Sequence, residues 1–345
     1  MIKVGILGFG KMGRIRAKAL ESIGTAKVVC VYDVDISGDL KYPVEASADD
    51  LINRDDIQAV VISVPNYLNY DYTVRALQAG KHVFCEKPPA FTVKEVQDIR
   101  AVEAESGRKL MYGFNHRHHD AAIKMKSLID TGDYGKILWM RGRYGKSVDE
   151  SYLNTWRAKK ETAGGGILFD QGIHMLDLFL YMGARFDQVH AFVSNLYWQM
   201  DGVEDNVFAI MKNSKSGMVA SLHSTMTQWR HLFSLEVFLE SGYMVLNGLK
   251  TSSGTYGEEE LSVAKNRSKA PAATWADEER FHFAIDNSWK RECKHFIGAI
   301  LSDEEISIGH SGDALAVMEL IEDIYNNERQ ESEELHTRLN GNVEN

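Results

Sequence analysis

The glycine turn Gly8-Phe9-Gly10-Lys11-Met12-Gly13 constrains this chain more than any other segment. It follows the apolar run 2–7 and opens a helical pattern. Three glycines at this spacing permit a tight strand-to-helix turn and close backbone approach, and the helix N-terminus behind them stabilises phosphate charge. The spacing alone is a weak signal, but its context makes it a strong one. Asp33 closes the next strand-like run, 27–32, where its carboxylate can accept hydrogen bonds from ribose hydroxyls. A 2′-phosphate would be repelled by Asp33, and Val34 and Asp35 supply no cation to offset this. The turn and Asp33 therefore point to NAD, and less to NADP.

The pattern around the turn predicts α/β architecture. Up to about residue 118, strand-like runs (2–7, 27–32, 58–63, 82–85 and 109–112) alternate with helical segments, as in a doubly wound Rossmann parallel sheet. Thr92 with Glu95 forms a capping box, and Gly80 and Gly107 stand where helix C-caps belong. After a helix over 120–131, strands over 136–144, 188–197, 207–212, 218–225, 232–240 and 243–247 predict a large open, mainly antiparallel sheet. One helix over 165–182 interrupts them, and a last amphipathic helix over 312–326 precedes a polar tail expected to be loose. The expected division is residues 1–118, binding NAD, and 119–345, an α+β domain for substrate binding and oligomerisation.

Length and charge narrow the partners. A chain of 345 residues fits two cores, and its net charge of −10 argues against nucleic acid or an anionic membrane surface. Any anionic substrate must then be met by local cations. Cys30, Cys85 and Cys293 show no metal-ligand spacing, and Cys30 and Cys85 lie in apolar runs that suit buried thiols. The N-terminus opens as a strand without a leader pattern, and no run reaches membrane-spanning length, so a cytoplasmic location is expected.

Two further stretches carry chemistry. Lys87, in Glu86-Lys87-Pro88-Pro89, follows a parallel strand at the end that faces ligands in such sheets, with a candidate cis bond in the proline pair. An ammonium there can polarise a substrate oxygen, and a surface lysine paired with Glu86 is the plain alternative. Asp170 and His174, at i and i+4 with Asp177 beyond, share one helical face, and imidazole is the natural acid and base near neutral pH. The glycines Gly164, Gly165, Gly166 and Gly172 are expected to leave room for a cofactor or sugar. Two alternatives stay open for this face: a poor metal site of two carboxylates and one imidazole, or a satisfied polar patch inside helix–sheet packing. No metal is expected.

In combination these motifs resemble the glucose–fructose oxidoreductase/inositol dehydrogenase family (Gfo/Idh/MocA), from Met1 to about residue 330. The family's Glu-Lys-Pro is Glu86-Lys87-Pro88. Its glycine-rich Asp, Gly and His pattern is met, with one spacing difference, by Asp170, Gly172 and His174. The resemblance implies catalytic roles for Lys87, Asp170 and His174. Pro65, Asn66, Glu86 and Lys87 join the turn and Asp33 as cofactor contacts. Asn69 departs from the family, which often carries His there.

Residues 113–117 and 142–145, with Trp156 and Arg157, resemble the surface-polysaccharide branch. The expected substrate set is therefore Asn115, Arg117, Tyr144, Trp156, Arg157, Asp170 and His174. The expected activity is hydride transfer between NAD and a secondary alcohol or ketone of a nucleotide-linked or acidic sugar. Inositol or free hexose oxidation, and NAD-assisted glycoside cleavage without net redox, are the alternatives. A non-catalytic sugar sensor would not need Lys87, Asp170 and His174 together. Strands apolar at both alternating positions, such as 208–211 and 218–220, predict a homodimer or homotetramer through the sheet.

Overall fold

The computed structural model describes residues 1–36, 41–265 and 274–341. The chain forms two compact units. Residues 1–119, 161–164 and 287–316 make the first; residues 120–160, 165–286 and the described residues from 317 onward make the second. A single cut at 118/119 does not describe this division, because the chain returns to the first unit after residue 286.

The first unit opens with β1 (Ile2–Leu7), α1 (Lys11–Ser22), β2 (Ala26–Tyr32), α2 (Ala48–Ile52), β3 (Ala59–Ile62), α3 (Asn69–Gln78), β4 (His82–Cys85), α4 (Val93–Ser106) and β5 (Leu110–Tyr112). The strands pair in parallel in the order β2-β1-β3-β4-β5. All four residues of β3 are buried, the unbroken apolar run of a parallel strand covered on both faces. Thr92 and Glu95 form the expected capping box, and Gly107 ends α4 in the left-handed conformation. Cys30, Cys85 and Cys293 are free, buried thiols, and burial pushes Cys85 up to about 12, which keeps it uncharged.

The second unit contains α5 (Asp120–Asp130), β6 (Ile137–Ser147), a π-helical turn (Leu168–Gly172) and α7 (Ile173–Tyr181), while α6 (Lys160–Ala163) falls in the first unit from Glu161 on. Then follow β7 (Gln188–Ser194), β8 (Asn206–Lys212), β9 (Val219–Thr225), β10 (Thr227–Leu239), β11 (Gly242–Asn247), β12 (Glu259–Lys265) and β13 (Glu279–Phe283). They form one sheet in the order β13-β12-β11-β10-β6-β9-β8-β7, antiparallel except for β6 with β9. Gly142 of β6 supports the close packing of α7, since a Cβ there would meet Met175 at 2.4 Å and Phe179 at 2.8 Å.

Side chains of β8 alternate along most of the strand. On β8, Val207, Ala209 and Met211 are buried, while Phe208 and Ile210 are 50% and 57% exposed. With Phe192 on β7, and with Arg141, Arg143, His190, Ser221 and His223, they line one shallow groove on the open face.

Four elements differ from the sequence reading. β12 begins with two glutamates and was not expected as a strand. Glu259 is buried there because its carboxylate accepts the N–H groups of Ala121 (2.9 Å) and Lys250 (3.0 Å). β13 was missed as well. α8 (Ser288–Ser302), which belongs to the first unit, hides its apolar stripe behind a glutamate: Glu292 is buried alongside Cys293, Phe296 and Ile297. α9 (Ser311–Gly341) continues through the supposed loose tail to residue 341, since no proline or glycine interrupts residues 327–340. Among the described residues, no helix is long and apolar enough to cross a membrane.

Candidate active site

The glycine turn lies at the carboxyl end of β1. Gly8 has φ +82°, and a Cβ there would meet the Ser63 carbonyl oxygen at 2.4 Å; one on Gly13 would meet the Gly8 oxygen at 2.0 Å. Gly10 differs, because a Cβ there would meet nothing within 4 Å. That side of the turn is open, and no side chain caps α1 at Gly10 and no acid occupies its first turn. Asp33 is tied to the turn: its Oδ2 accepts the Phe9 N–H at 2.6 Å and its Oδ1 accepts the Asp35 N–H at 3.0 Å. An ionised carboxylate has further acceptor sites for ribose hydroxyls. These residues fit a dinucleotide. Phe9 packs its ring edge-on to Tyr42, while Lys11 is exposed and Met12 half-buried. Pro65 precedes a short 3-10 turn, and Asn66 donates to the Ala163 carbonyl at 2.8 Å.

Lys87 follows β4, is half-buried, and is joined to Pro88 by a cis peptide bond. Its turn is held from two sides. Asn69, buried, donates to the Pro88 carbonyl at 2.8 Å and more weakly to that of Glu86 at 3.4 Å. The Glu86 carboxylate accepts from Arg16 Nε at 2.6 Å, and Arg16 also pairs with Glu292. Arg16 is fully buried, with its guanidinium over the rings of Phe84 (4.2 Å) and Trp289 (4.7 Å). Glu86 is thus committed to the interior of the first unit.

Two expected substrate residues are buried in the first unit. Asn115 lies within hydrogen-bond range of Ser288 (3.5 Å) and His116 (3.1 Å). Arg117 does not stand on an exposed rim: it is 3% exposed and its Nη1 meets Asp313 at 2.9 Å. Nearby, burial and surrounding cationic groups push the His118 imidazole down to about 3, so it stays neutral.

In the second unit, the expected uniform helix over 165–182 is broken. Asp170 lies in the π-helical turn and His174 in the first turn of α7, so the two do not follow the α-helical i, i+4 geometry. π-helical turns are rare and frequent at functional sites. The Asp170 carboxylate is ringed by cations, with Lys146 Nζ at 3.1 Å and Arg157 Nε at 3.9 Å. It also accepts from Gln171 at 3.1 Å. Lys146 stands 4.9 Å from the centre of the Tyr152 ring, and Arg157 stands 4.2 Å from that of half-buried Trp156. His174 is buried, with Tyr144 edge-on to it at 6.3 Å. Asp177 is fully buried. Among the described residues, no group of three or more His, Cys, Asp or Glu could hold a metal.

The glycines before Asp170 serve packing rather than access. A Cβ on Gly166 would meet the Glu204 backbone oxygen at 1.9 Å, and one on Gly165 the Tyr325 hydroxyl at 2.6 Å. Gly172 is closed by Leu168 (2.9 Å) and Ser224 (3.1 Å), and Gly164 has φ +83°.

Sequence reading missed Tyr256 and His231. Tyr256 stacks on Tyr144 at 5.5 Å with the rings 2° from parallel, and His231 meets it edge-on at 4.8 Å. Burial, with the Asp170 charge in addition, pushes Tyr256 up to about 12 and raises Tyr144 well above its ordinary value, so both keep their protons. No motif marks Tyr256, which sits in a glycine-rich turn; only the sheet brings it to Tyr144.

Comparison with known proteins adds independent findings. Residues 2–114 match the model of an oxidoreductase family with an NAD-binding Rossmann fold, and residues 122–245 match the GFO/IDH/MocA C-terminal domain. A levoglucosan dehydrogenase of Pseudarthrobacter phenanthrenivorans is 30% identical over 210 residues, 56% of this chain and 54% of that protein. The chain thus spans about half the length of this curated relative. A 2,7-anhydro-N-acetylneuraminate hydratase of Escherichia coli K12 is 27% identical over 259 residues, 73% of this chain and 67% of that one. In fold, the chain is similar to a levoglucosan dehydrogenase solved with NADH and L-sorbose. The TM-score is 0.85 at 23% identity, covering 96% of this chain and 97% of that one.

Proposed function

Since the chain belongs to the GFO/IDH/MocA oxidoreductase family, we propose that it transfers a hydride between NAD and a secondary alcohol or ketone on a sugar or cyclitol ring. The observation that carries this reading is the Asp33 carboxylate bonded to the Phe9 N–H of an open glycine turn. The relatives named above carry levoglucosan and 2,7-anhydro-N-acetylneuraminate in their names, which supports a carbohydrate ring as substrate.

When bound, the nicotinamide supplies or accepts the hydride. The backbone of Gly8–Gly13 would hold the pyrophosphate and Asp33 the ribose, with Pro65 and Asn66 as further contacts. Lys87 polarises the substrate oxygen. His174 takes up or returns the hydroxyl proton at a ring nitrogen, and Asp170 orients hydroxyl and imidazole. Tyr144 and Tyr256 offer protonated hydroxyls, which suits hydrogen bonding to a polyol and not proton abstraction. Glu86 acts through Arg16.

The ring is neutral in this reading. Arg117, expected to meet the substrate, is buried on Asp313, and Lys146 beside the site lies on Asp170. A nucleotide-linked or acidic sugar, as in the surface-polysaccharide branch, is the second reading. It is favoured by Arg157, whose side chain is 39% exposed beside Trp156.

Formation of NADH from hexoses, anhydro-sugars, inositols and a nucleotide sugar tests both. A neutral ring is expected to give the highest kcat/KM, and Arg157→Ala to spare it. A nucleotide sugar turned over best, with that advantage lost in Arg157→Ala, establishes the second reading. Product formed without accumulating NADH would establish chemistry without net redox. NAD is expected to bind more tightly than NADP, and equal affinity defeats the role given to Asp33.

We also infer a homodimer or homotetramer through the open face carrying Phe192, Phe208 and Ile210. A monomeric mass by light scattering at micromolar concentration contradicts it.

A further inference from the structure

Glu204 begins in sequence as an unremarkable acid two residues before β8, and its environment sets it apart. Its side chain is buried, and burial pushes the carboxyl up from its ordinary range. Three donors converge on it: the Gly166 N–H reaches Oε2 at 2.7 Å, and the Leu168 N–H (3.0 Å) and the Tyr325 hydroxyl (2.9 Å) reach Oε1. The backbone joins in, since the Ile167 N–H donates to the Glu204 carbonyl at 3.0 Å. Three successive amides, 166 to 168, are therefore taken up by one residue just where the helix carrying Asp170 and His174 begins. Amides at a helix start have no partner within the helix and need one when buried. Gly166 completes the arrangement, as any larger residue would drive into the Glu204 backbone.

We propose that Glu204 is a positioning residue that fixes the start of the π-helical turn and thereby sets where Asp170 and His174 stand. The register is carried forward directly, because the Asp170 N–H donates to the Gly166 carbonyl at 2.9 Å. The neighbouring acid does the same for another segment: Asp205 accepts the N–H groups of Leu196, Tyr197 and Trp198 at 2.7–2.9 Å. Glu204 and Asp205 thus pin two separate segments to the start of one strand. The consequence for turnover rests on the roles proposed above for Asp170 and His174; the consequence for their placement does not.

Glu204→Gln tests it with little change of volume. A carboxamide has one acceptor oxygen and one NH2, so in either orientation its NH2 faces the N–H of Gly166 or of Leu168. Three results are expected. Hydrogen-exchange protection of one of these two amides falls about tenfold, for loss of about 1.4 kcal/mol of hydrogen bonding. The imidazole resonances of His174 move. On a sugar that is turned over, kcat falls by about 10–100-fold with KM nearly unchanged and NAD affinity intact, as a displaced reacting group requires.

Unmoved His174 resonances overturn the proposal even if no sugar is a substrate, so its failure is distinct from failure of the dehydrogenase reading. Lost protection with unmoved His174 resonances leaves Glu204 a packing residue, whereas moved resonances with undiminished kcat defeat the roles given to Asp170 and His174 and not the placement. Should Glu204→Gln not fold, Tyr325→Phe removes one of the three donors and is expected to shift the His174 resonances by a smaller amount. Unchanged resonances there overturn the proposal equally.

Discussion

Lys87→Ala and His174→Ala are each expected to lower turnover by about 10²–10⁴-fold, the range that a positioned proton-transfer group contributes. Affinity for NAD is expected to change little, because the pyrophosphate and ribose contacts proposed above lie on the glycine turn and Asp33. The two variants separate two jobs. Lys87 sits on a turn fixed by Asn69 through the Pro88 carbonyl and by Arg16 through Glu86, so its backbone position survives truncation of its own side chain. His174 is buried on α7 against Tyr144. Steady-state turnover with a sugar found in the panel, alongside NAD titration, measures both effects. A variant with near-normal kcat removes that residue from proton transfer, and one that loses NAD binding shows that the residue serves the cofactor.

Arg16→Met is expected to cost about 3–5 kcal/mol of stability, the range for breaking a buried ion pair by removing one partner. Arg16 is fully buried and faces two carboxylates that are themselves nearly or fully buried, Glu86 and Glu292. Taking away the guanidinium leaves both acids in a low-dielectric interior without their counter-charge, and they must then bind protons or draw in water. Methionine keeps most of the volume, so the loss is electrostatic and not a cavity effect. The double variant Arg16→Met with Glu292→Gln is therefore expected to recover part of the loss, since one of the stranded charges is gone. Denaturant unfolding of the two variants gives the comparison. A single variant within about 1 kcal/mol of the parent protein contradicts the central place given to this triad. Since α8 carries Glu292, Trp289 and Phe296, the triad also explains why residues 287–316 belong to the first unit.

The parts of this protein legible in its sequence are those whose determinants lie close together in the chain. The Rossmann sheet was readable because its strands are continuous apolar runs and the helices between them carry local punctuation, the Thr92–Glu95 box and Gly107 among them. The glycine turn was readable because Gly8 and Gly13 meet requirements of backbone geometry within a few residues of themselves. Asp33 was readable because a parallel strand of fixed length places it. β12 and α8 were not, since each carries a glutamate on its buried side, and only partners far away in sequence, Ala121 and Lys250 for Glu259 and Arg16 for Glu292, make that burial tolerable.

The same limit applies to the site. Lys87, Asp170 and His174 stand in motifs, but the residues holding them do not. Arg16 reaches Glu86 across 70 positions, and Glu204 reaches Gly166 across 38. The resemblance also put Arg117 among the substrate residues, whereas the fold buries it on Asp313. A residue's type fixes what chemistry it can perform, so the sequence by itself determined the cofactor turn and the candidate acid, base and amine. Which charges are neutralised, which amides are satisfied and which glycines are closed depend on neighbours brought together through space, and those only the tertiary structure decided.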